Sequence, residues 1–211
     1  DDIVSSIWGD VPRTWQWMTQ GRGRIDRLSL WVGSAADSQP HRLARLSSNG
    51  ELSLLSGTPE NSVVGEHEIE VGHHLTIVDP SLAASGLTES WRDIAVNDGT
   101  SDWLKLTGRR PTFISSEALS EQNEVRDFTQ ISGQIVAIVS EVSFETLDTL
   151  AGIAHSADIS NLKLRCRIDP DLQPKLQSAI DRELKQLESI SNPSHGFITE
   201  VGEGYVICRQ A

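Results

Sequence analysis

The densest group of residues able to bind a metal ion lies between positions 66 and 74. It contains carboxylates and the imidazoles of His67, His73 and His74, which are ligands that zinc and iron accept. His67 and His73 can meet across a turn at Gly72. Strand alternation, however, puts His67 and the three glutamates of this stretch on opposite faces. The pattern therefore favours a solvated acidic strand, and a metal-dependent enzyme is the alternative.

Basic side chains form two short groups in a chain that is otherwise acidic. Arg109 and Arg110 stand between a glycine and a proline, and a guanidinium can hold a phosphate or carboxylate through two parallel hydrogen bonds. Lys163, Arg165 and Arg167 alternate with apolar residues, so they share one exposed strand face. Like charges in a row repel one another. Either neighbouring carboxylates neutralise this row, which is the commoner arrangement, or a negatively charged partner does.

Motifs that mark common catalytic and nucleotide-binding sites are absent from the sequence. It contains no Gly-x-Ser-x-Gly turn and no Gly-x-x-x-x-Gly-Lys-Ser/Thr loop. Cys166 and Cys208 lack the context of a nucleophile, and two cysteines are too few for a disulfide scaffold. Both are expected to be reduced thiols in a cytosolic core. We therefore expect no cofactor, and we favour a protein without catalytic activity.

The first 80 residues predict a β-rich domain. Short apolar runs alternate with turn residues, and Asn49-Gly50 between two such runs favours a hairpin. Several short strands in succession predict a sandwich or a barrel. Residues 81–127 are rich in Gly, Ser, Asp and Thr and predict a polar connector with a short helix at 87–96. The strand candidates are residues 28–32, 41–46, 52–55, 66–71 and 75–78.

Residues 128–211 predict a two-layer domain with the element order β-α-β-α-β-β. The apolar run within 130–140 is typical of a central strand, and Ser143 is suited to cap the helix that follows. Two parallel crossovers and a final hairpin follow from this order, and the hairpin leaves an edge strand free for a partner. The fold class is therefore α+β. The later elements are a strand at 161–168, a helix starting at 169–170, and strands at 196–201 and 205–209.

The charge balance restricts the classes of partner. The chain has 30 acidic and 18 basic residues and a formal net charge of −12. A field of this sign repels phosphate backbones and anionic lipids, so we expect no non-specific nucleic-acid binding. The longest apolar run, Ile135–Val139, is far shorter than the ~20 residues of a membrane span. We therefore expect no membrane insertion and a cytoplasmic location.

Residues 21–79 carry several short motifs in the order found in one known family. They are Gly21-Arg22, residues 28–30, Ser38-Gln39-Pro40-His41, Asn61 and residues 65–69. This stretch resembles a degenerate forkhead-associated (FHA) domain, a family that binds phosphopeptides. The resemblance implies that Arg22, Ser38 and Asn61 hold a phosphothreonine or its backbone. Asn61 is followed by serine where the family has glycine, and the recognition loop is shortened.

Three functions fit these observations. The first is a non-enzymatic interaction or assembly module that takes a protein partner and allows oligomers. The second is a phosphopeptide-binding adaptor of the FHA type, and the third is a metal-dependent enzyme built on the 66–74 cluster. The candidate ligand-binding residues are Arg22, Ser38, His41, Asn61, Arg109 and Arg110. The candidate metal ligands are His67, His73 and His74.

Overall fold

The computed structural model describes residues 2–21, 23–187 and 190–210. Helices and strands are mixed along the chain, which is α+β as predicted. The strands are β1 (Arg13–Thr19), β2 (Ile25–Val32), β3 (His41–Leu46), β4 (Leu52–Gly57), β5 (His74–Val78), β6 (Ser101–Lys105), β7 (Thr112–Ser115), β8 (Thr129–Val139), β9 (Ile159–Leu164), β10 (Ser194–Val201) and β11 (Gly204–Arg209). The helices are α1 (Asp2–Trp8), α2 (Ser81–Ser85), α3 (Thr88–Ala95), α4 (Asn123–Asp127), α5 (Leu147–Ser156) and α6 (Gln173–Gln186).

The N-terminal strands form a four-stranded sheet in the order β2-β1-β3-β4. β1 pairs antiparallel with β2 and parallel with β3. β3 and β4 form the predicted hairpin, with Gly50 at φ +88° in its turn, where glycine accepts a positive φ without steric cost. The strand predicted at 66–71 is absent, since residues 65–70 have no regular structure.

The remaining strands form one seven-stranded sheet in the order β6-β7-β5-β8-β11-β10-β9. Its C-terminal part has the predicted β-α-β-α-β-β order, and β9 and β10 are parallel. The final hairpin, however, is inserted between β8 and β9 rather than at an edge. In the described residues the edge strands of this sheet are β6 and β9, so the prediction that the hairpin leaves a free edge is wrong.

The seven-stranded sheet is curled, so its two ends approach each other. Lys105 Nζ on β6 lies 3.8 Å from Glu200 Oε1 on β10. Beyond the end of β9, the Arg165 amide donates to the Ile198 carbonyl at 2.7 Å. The segment that follows β9 therefore runs beside β10 toward the β6–β7 loop. This curl brings together residues that are distant in the sequence.

The segment 81–127 belongs to the core, which differs from the predicted polar connector. Trp91, Trp103 and Phe113 are fully buried, and their ring centroids lie 4.9 to 5.8 Å apart. The Trp103 indole donates to Glu89 Oε1 at 3.1 Å and the Trp91 indole to the Val125 carbonyl at 3.4 Å. Both indole N–H groups are thus satisfied. This aromatic cluster joins the four-stranded sheet to one face of the larger sheet.

Replacing Phe113 by alanine removes the ring that contacts both tryptophans. We expect Phe113→Ala to lower the free energy of unfolding by about 3–5 kcal/mol, because a buried aromatic is lost and a cavity remains. Urea unfolding followed by tryptophan fluorescence measures this change. The matched control is Phe144→Ala, whose ring is 48% exposed and whose loss should cost less than about 1 kcal/mol. Equal losses in the two variants would contradict the described core.

Candidate functional site: an arginine-lined cavity

Four arginines surround one cavity of about 410 Å³. We call it the arginine cavity. Two aspartates and two uncharged polar residues complete its wall. The lining residues are Arg45, Arg109, Arg110 and Arg165, together with Asp79, Asp127, Thr129 and Gln130.

The arginines come from three separate parts of the chain. Arg45 lies on β3, Arg109 and Arg110 lie in the β6–β7 loop, and Arg165 directly follows β9. The Arg110 guanidinium donates a hydrogen bond to the backbone carbonyl of Arg165. The structure therefore brings Arg165, one residue of the second basic group, next to the first basic group. Arg165 comes near the β6–β7 loop because the sheet is curled.

Arg45 is the most constrained of the four. Its Nε atom is buried and has no hydrogen-bond partner among the described residues. Its guanidinium packs against Gly21, where a Cβ atom would lie 3.3 Å from Arg45 Nη2. Gly21 also has φ +84°, so any other residue there is strained and crowds Arg45. The backbone at Gly21 thus helps to hold this guanidinium in place.

The two aspartates of the arginine cavity are already engaged elsewhere. Asp79 is buried and accepts the backbone amides of Ser81 at 2.9 Å and Gly23 at 3.4 Å. Asp127 accepts the hydroxyl of Ser53. In the described part of the chain, no ion pair joins any of the four arginines to a carboxylate. Four guanidinium groups and two carboxylates leave the arginine cavity with two net positive charges.

Ser38, His41 and Asn61, which the FHA resemblance suggested, do not line this cavity. Arg22 lies outside the described residues. Ser38 is exposed and donates to Asp37, and Asn61 is exposed in the segment after β4. His41 Nδ1 donates to the Ser85 carbonyl at 2.6 Å. Of the five predicted ligand-binding residues that the structure describes, only Arg109 and Arg110 lie at the arginine cavity.

The three histidines do not form a metal site. His67 and His73 approach as predicted, with ring centroids 5.3 Å apart, and His73 Nε2 lies 3.7 Å from Glu70 Oε2. Nevertheless, the described residues contain no group of three or more side chains placed to bind a metal ion. A metal centre at 66–74 is not supported, because residues 65–70 are irregular, His74 begins β5, and the potential ligands do not converge.

Sequence reasoning missed Arg45, and it placed Arg165 in a neutralised row rather than at a site. A signal for Arg45 was present. In the β3 sequence His-Arg-Leu-Ala-Arg-Leu, Arg45 shares a strand face with Leu43, which is fully buried. A charged residue on a buried face is costly unless it is paired or functional. The other arginines of the cavity are too distant from Arg45 in the sequence for their proximity to be predicted.

Comparisons with known proteins give little. No family model and no curated protein matches the chain. Two chains of solved structures match, and one comes from the crystal structure of a 4-thiouridine synthetase–RNA complex with bound ATP. The alignment has a TM-score of 0.32 and 16% identity, and it covers 67% of this chain and 41% of the other. At these values the likeness carries no argument about this chain's fold or chemistry.

That protein is an enzyme in complex with RNA, unlike the predicted non-enzymatic module that takes a protein partner and no non-specific nucleic acid. That prediction is not retained. Its premise also fails physically, because the whole-chain charge of −12 does not describe the field at the arginine cavity. Separately, no helix among the described residues is long and apolar enough to cross a membrane.

The environment of His74, the first residue of β5, leads to a prediction about the pH dependence of stability. Burial, and secondarily the neighbouring His73, lowers the pKa of His74 below its ordinary value. The unfolded chain therefore binds a proton at this position more readily, and stability falls as the pH drops below about 6.5. We expect His74→Asn to lose less stability than the wild type between pH 7.5 and 5.5 in urea unfolding. The control His195→Asn changes an exposed residue and should keep the wild-type slope. An unchanged slope in His74→Asn would contradict the assignment.

Proposed function

We propose that this protein binds a phosphate-bearing ligand in the arginine cavity. The observation that carries the proposal is that four arginines line one cavity and form no ion pair with a carboxylate among the described residues. Arginine is the side chain best suited to phosphate, since its planar group donates two parallel hydrogen bonds.

The energetics favour an anion at this position. A buried donor without an acceptor costs about 1–3 kcal/mol, and the Arg45 Nε atom is such a donor. Four like charges around one cavity also repel one another at short range. A bound phosphate brings negative charge into the cavity and relieves the repulsion among the arginines, whereas the buried Nε atom shows how closely Arg45 is held.

The negative charge of the whole chain does not oppose such binding at short range. Exposed charges are largely screened beyond about 8 Å at physiological ionic strength. The arginines that give the arginine cavity its two net positive charges line the space that a ligand enters, so they act on the ligand at close range. The remaining acidic surface acts at longer distance, where screening weakens it. We therefore expect binding to depend on the local arginines more than on net charge.

The two thiols support a cytoplasmic location for this function. Cys166 and Cys208 are both buried and free. Burial raises the pKa of the Cys166 thiol to about 11 and also raises that of Cys208. Neither is a reactive thiolate at neutral pH, and unpaired thiols are typical of reducing compartments.

Removing two of the arginines tests the proposal. The double variant Arg109→Gln/Arg165→Gln retains polar side chains that can form hydrogen bonds but removes two positive charges from the arginine cavity. We expect the affinity for inorganic pyrophosphate, measured by isothermal titration calorimetry, to fall at least about tenfold. The basis is that a hydrogen bond to a charged group contributes about 1.5–3 kcal/mol. Pyrophosphate should raise the melting temperature of the wild type but not of this variant.

The matched control is Arg182→Gln, an exposed arginine on α6 that does not line the cavity. It should bind pyrophosphate as the wild type does. Wild-type protein that shows neither heat nor thermal stabilisation with millimolar pyrophosphate would overturn the proposal. Equal losses in Arg182→Gln and the double variant would do the same, because they would indicate a general charge effect.

A further inference from the structure

The positive charge is confined to the arginine cavity. A larger groove of about 880 Å³ adjoins it and shares Arg45, Asp127 and Thr129 with it. Besides Arg45 and Asp127, the charged residues of this groove are Arg126, Glu51 and Glu124. Three carboxylates and two guanidinium groups give it one net negative charge. We call it the acidic groove.

The other neighbouring cavities are not positive either. Arg24 and Asp26 line a cavity near Gly21 and form an ion pair at 3.5 Å. The cavity beside the β10–β11 turn contains Lys105 and Arg167, which are balanced by two glutamates. Thus the described cavities next to the arginine cavity offer no continuous basic track. A long polyanion bound at the arginine cavity would therefore extend over neighbouring surface whose net charge is negative or zero.

The charge of the arginine cavity matches one particular kind of phosphate. Its two net positive charges correspond to a phosphomonoester, which carries about −1.5 to −2 at neutral pH. An internal phosphodiester carries a single negative charge and brings further charged neighbours on both sides. The acidic groove repels those neighbours but accepts an uncharged body.

From these charges we propose that the ligand is a nucleoside phosphomonoester whose phosphate lies in the arginine cavity and whose uncharged body lies in the acidic groove. This inference rests on the proposed function. The acidic groove is large enough for a nucleoside. Asn123 supplies a donor and an acceptor for a base or a sugar, and the Ser53 hydroxyl, which donates to Asp127, supplies an acceptor. A free nucleotide and the phosphorylated end of a nucleic-acid strand share this chemistry.

The test compares oligonucleotides of one sequence that differ only in their ends. By fluorescence anisotropy we expect a strand with a 5′ or 3′ phosphate to bind at least about tenfold more tightly than the strand with hydroxyl ends. Arg165→Gln should remove this difference. Competition by AMP then shows whether the bound phosphomonoester belongs to a free nucleotide or to a strand end. Full displacement by AMP at similar concentration indicates a free nucleotide, and weak displacement indicates a strand end.

A second variant tests the role of the acidic groove. Glu51→Gln/Glu124→Gln removes two of its negative charges while keeping side-chain shape, so internal phosphates are repelled less. We expect the hydroxyl-ended strand to bind several-fold more tightly to this variant and the preference for phosphorylated ends to shrink. The control is Glu145→Gln, an exposed glutamate outside the groove, which should leave the preference unchanged.

Two results would overturn this inference. One is equal affinity for hydroxyl and phosphorylated ends, and the other is affinity that grows steadily with strand length, since both indicate binding of internal phosphates. Pyrophosphate binding distinguishes failure of the phosphomonoester assignment from failure of the proposed function. If arginine-dependent pyrophosphate binding persists while the ends are not distinguished, only the phosphomonoester assignment fails. If pyrophosphate does not bind at all, the proposed function fails with it.

Discussion

The pairing of β8 with two partners determines how Arg109, Arg110 and Arg165 come together at the arginine cavity. This strand of eleven residues hydrogen-bonds with β5 on one side and with β11 on the other. It therefore joins the strands of the 81–127 segment and the C-terminal strands in one sheet. Curling of that sheet brings the end of β9 to the β6–β7 loop, where Arg110 bonds to the backbone of Arg165. Without the double pairing of β8, these arginines would belong to separate units.

The arginine cavity combines arginines on loops with one arginine whose position is fixed by the neighbouring backbone. Loops carry Arg109, Arg110 and Arg165, whereas Arg45 projects from a strand and is held against Gly21. Gly23 is equally restricted, since a Cβ atom there would lie 2.7 Å from Pro80. The turn that contains both glycines therefore packs directly on the chain beside Asp79. Rigid elements of this kind hold charged groups apart from counter-ions, which is how a binding site remains prepared for its ligand.

Local patterns predicted much of the fold and little of the site. The hairpin at Gly50, the long strand β8 and the helices α5 and α6 were expected because spacing, turn and cap residues specify them locally. The segment 81–127 was misjudged because its few aromatic residues are scattered among polar ones, and only tertiary packing buries them. The same limit applies to the arginine cavity. Arg110 and Arg165 are 55 positions apart, and no sequence periodicity relates them.

An acidic chain and an anion-binding cavity are compatible because electrostatic interactions in water act over short distances. Nucleic-acid binding was discounted on net charge, which averages 48 charged side chains over the whole sequence. The relevant quantity is the charge within a few ångströms of the bound atom. Surrounding carboxylates then limit how much anion is accepted, since each additional phosphate must lie closer to them. In this protein the acidic residues around the arginine cavity do not prevent anion binding. They repel phosphates that extend beyond the cavity, and this repulsion selects for a small charged group.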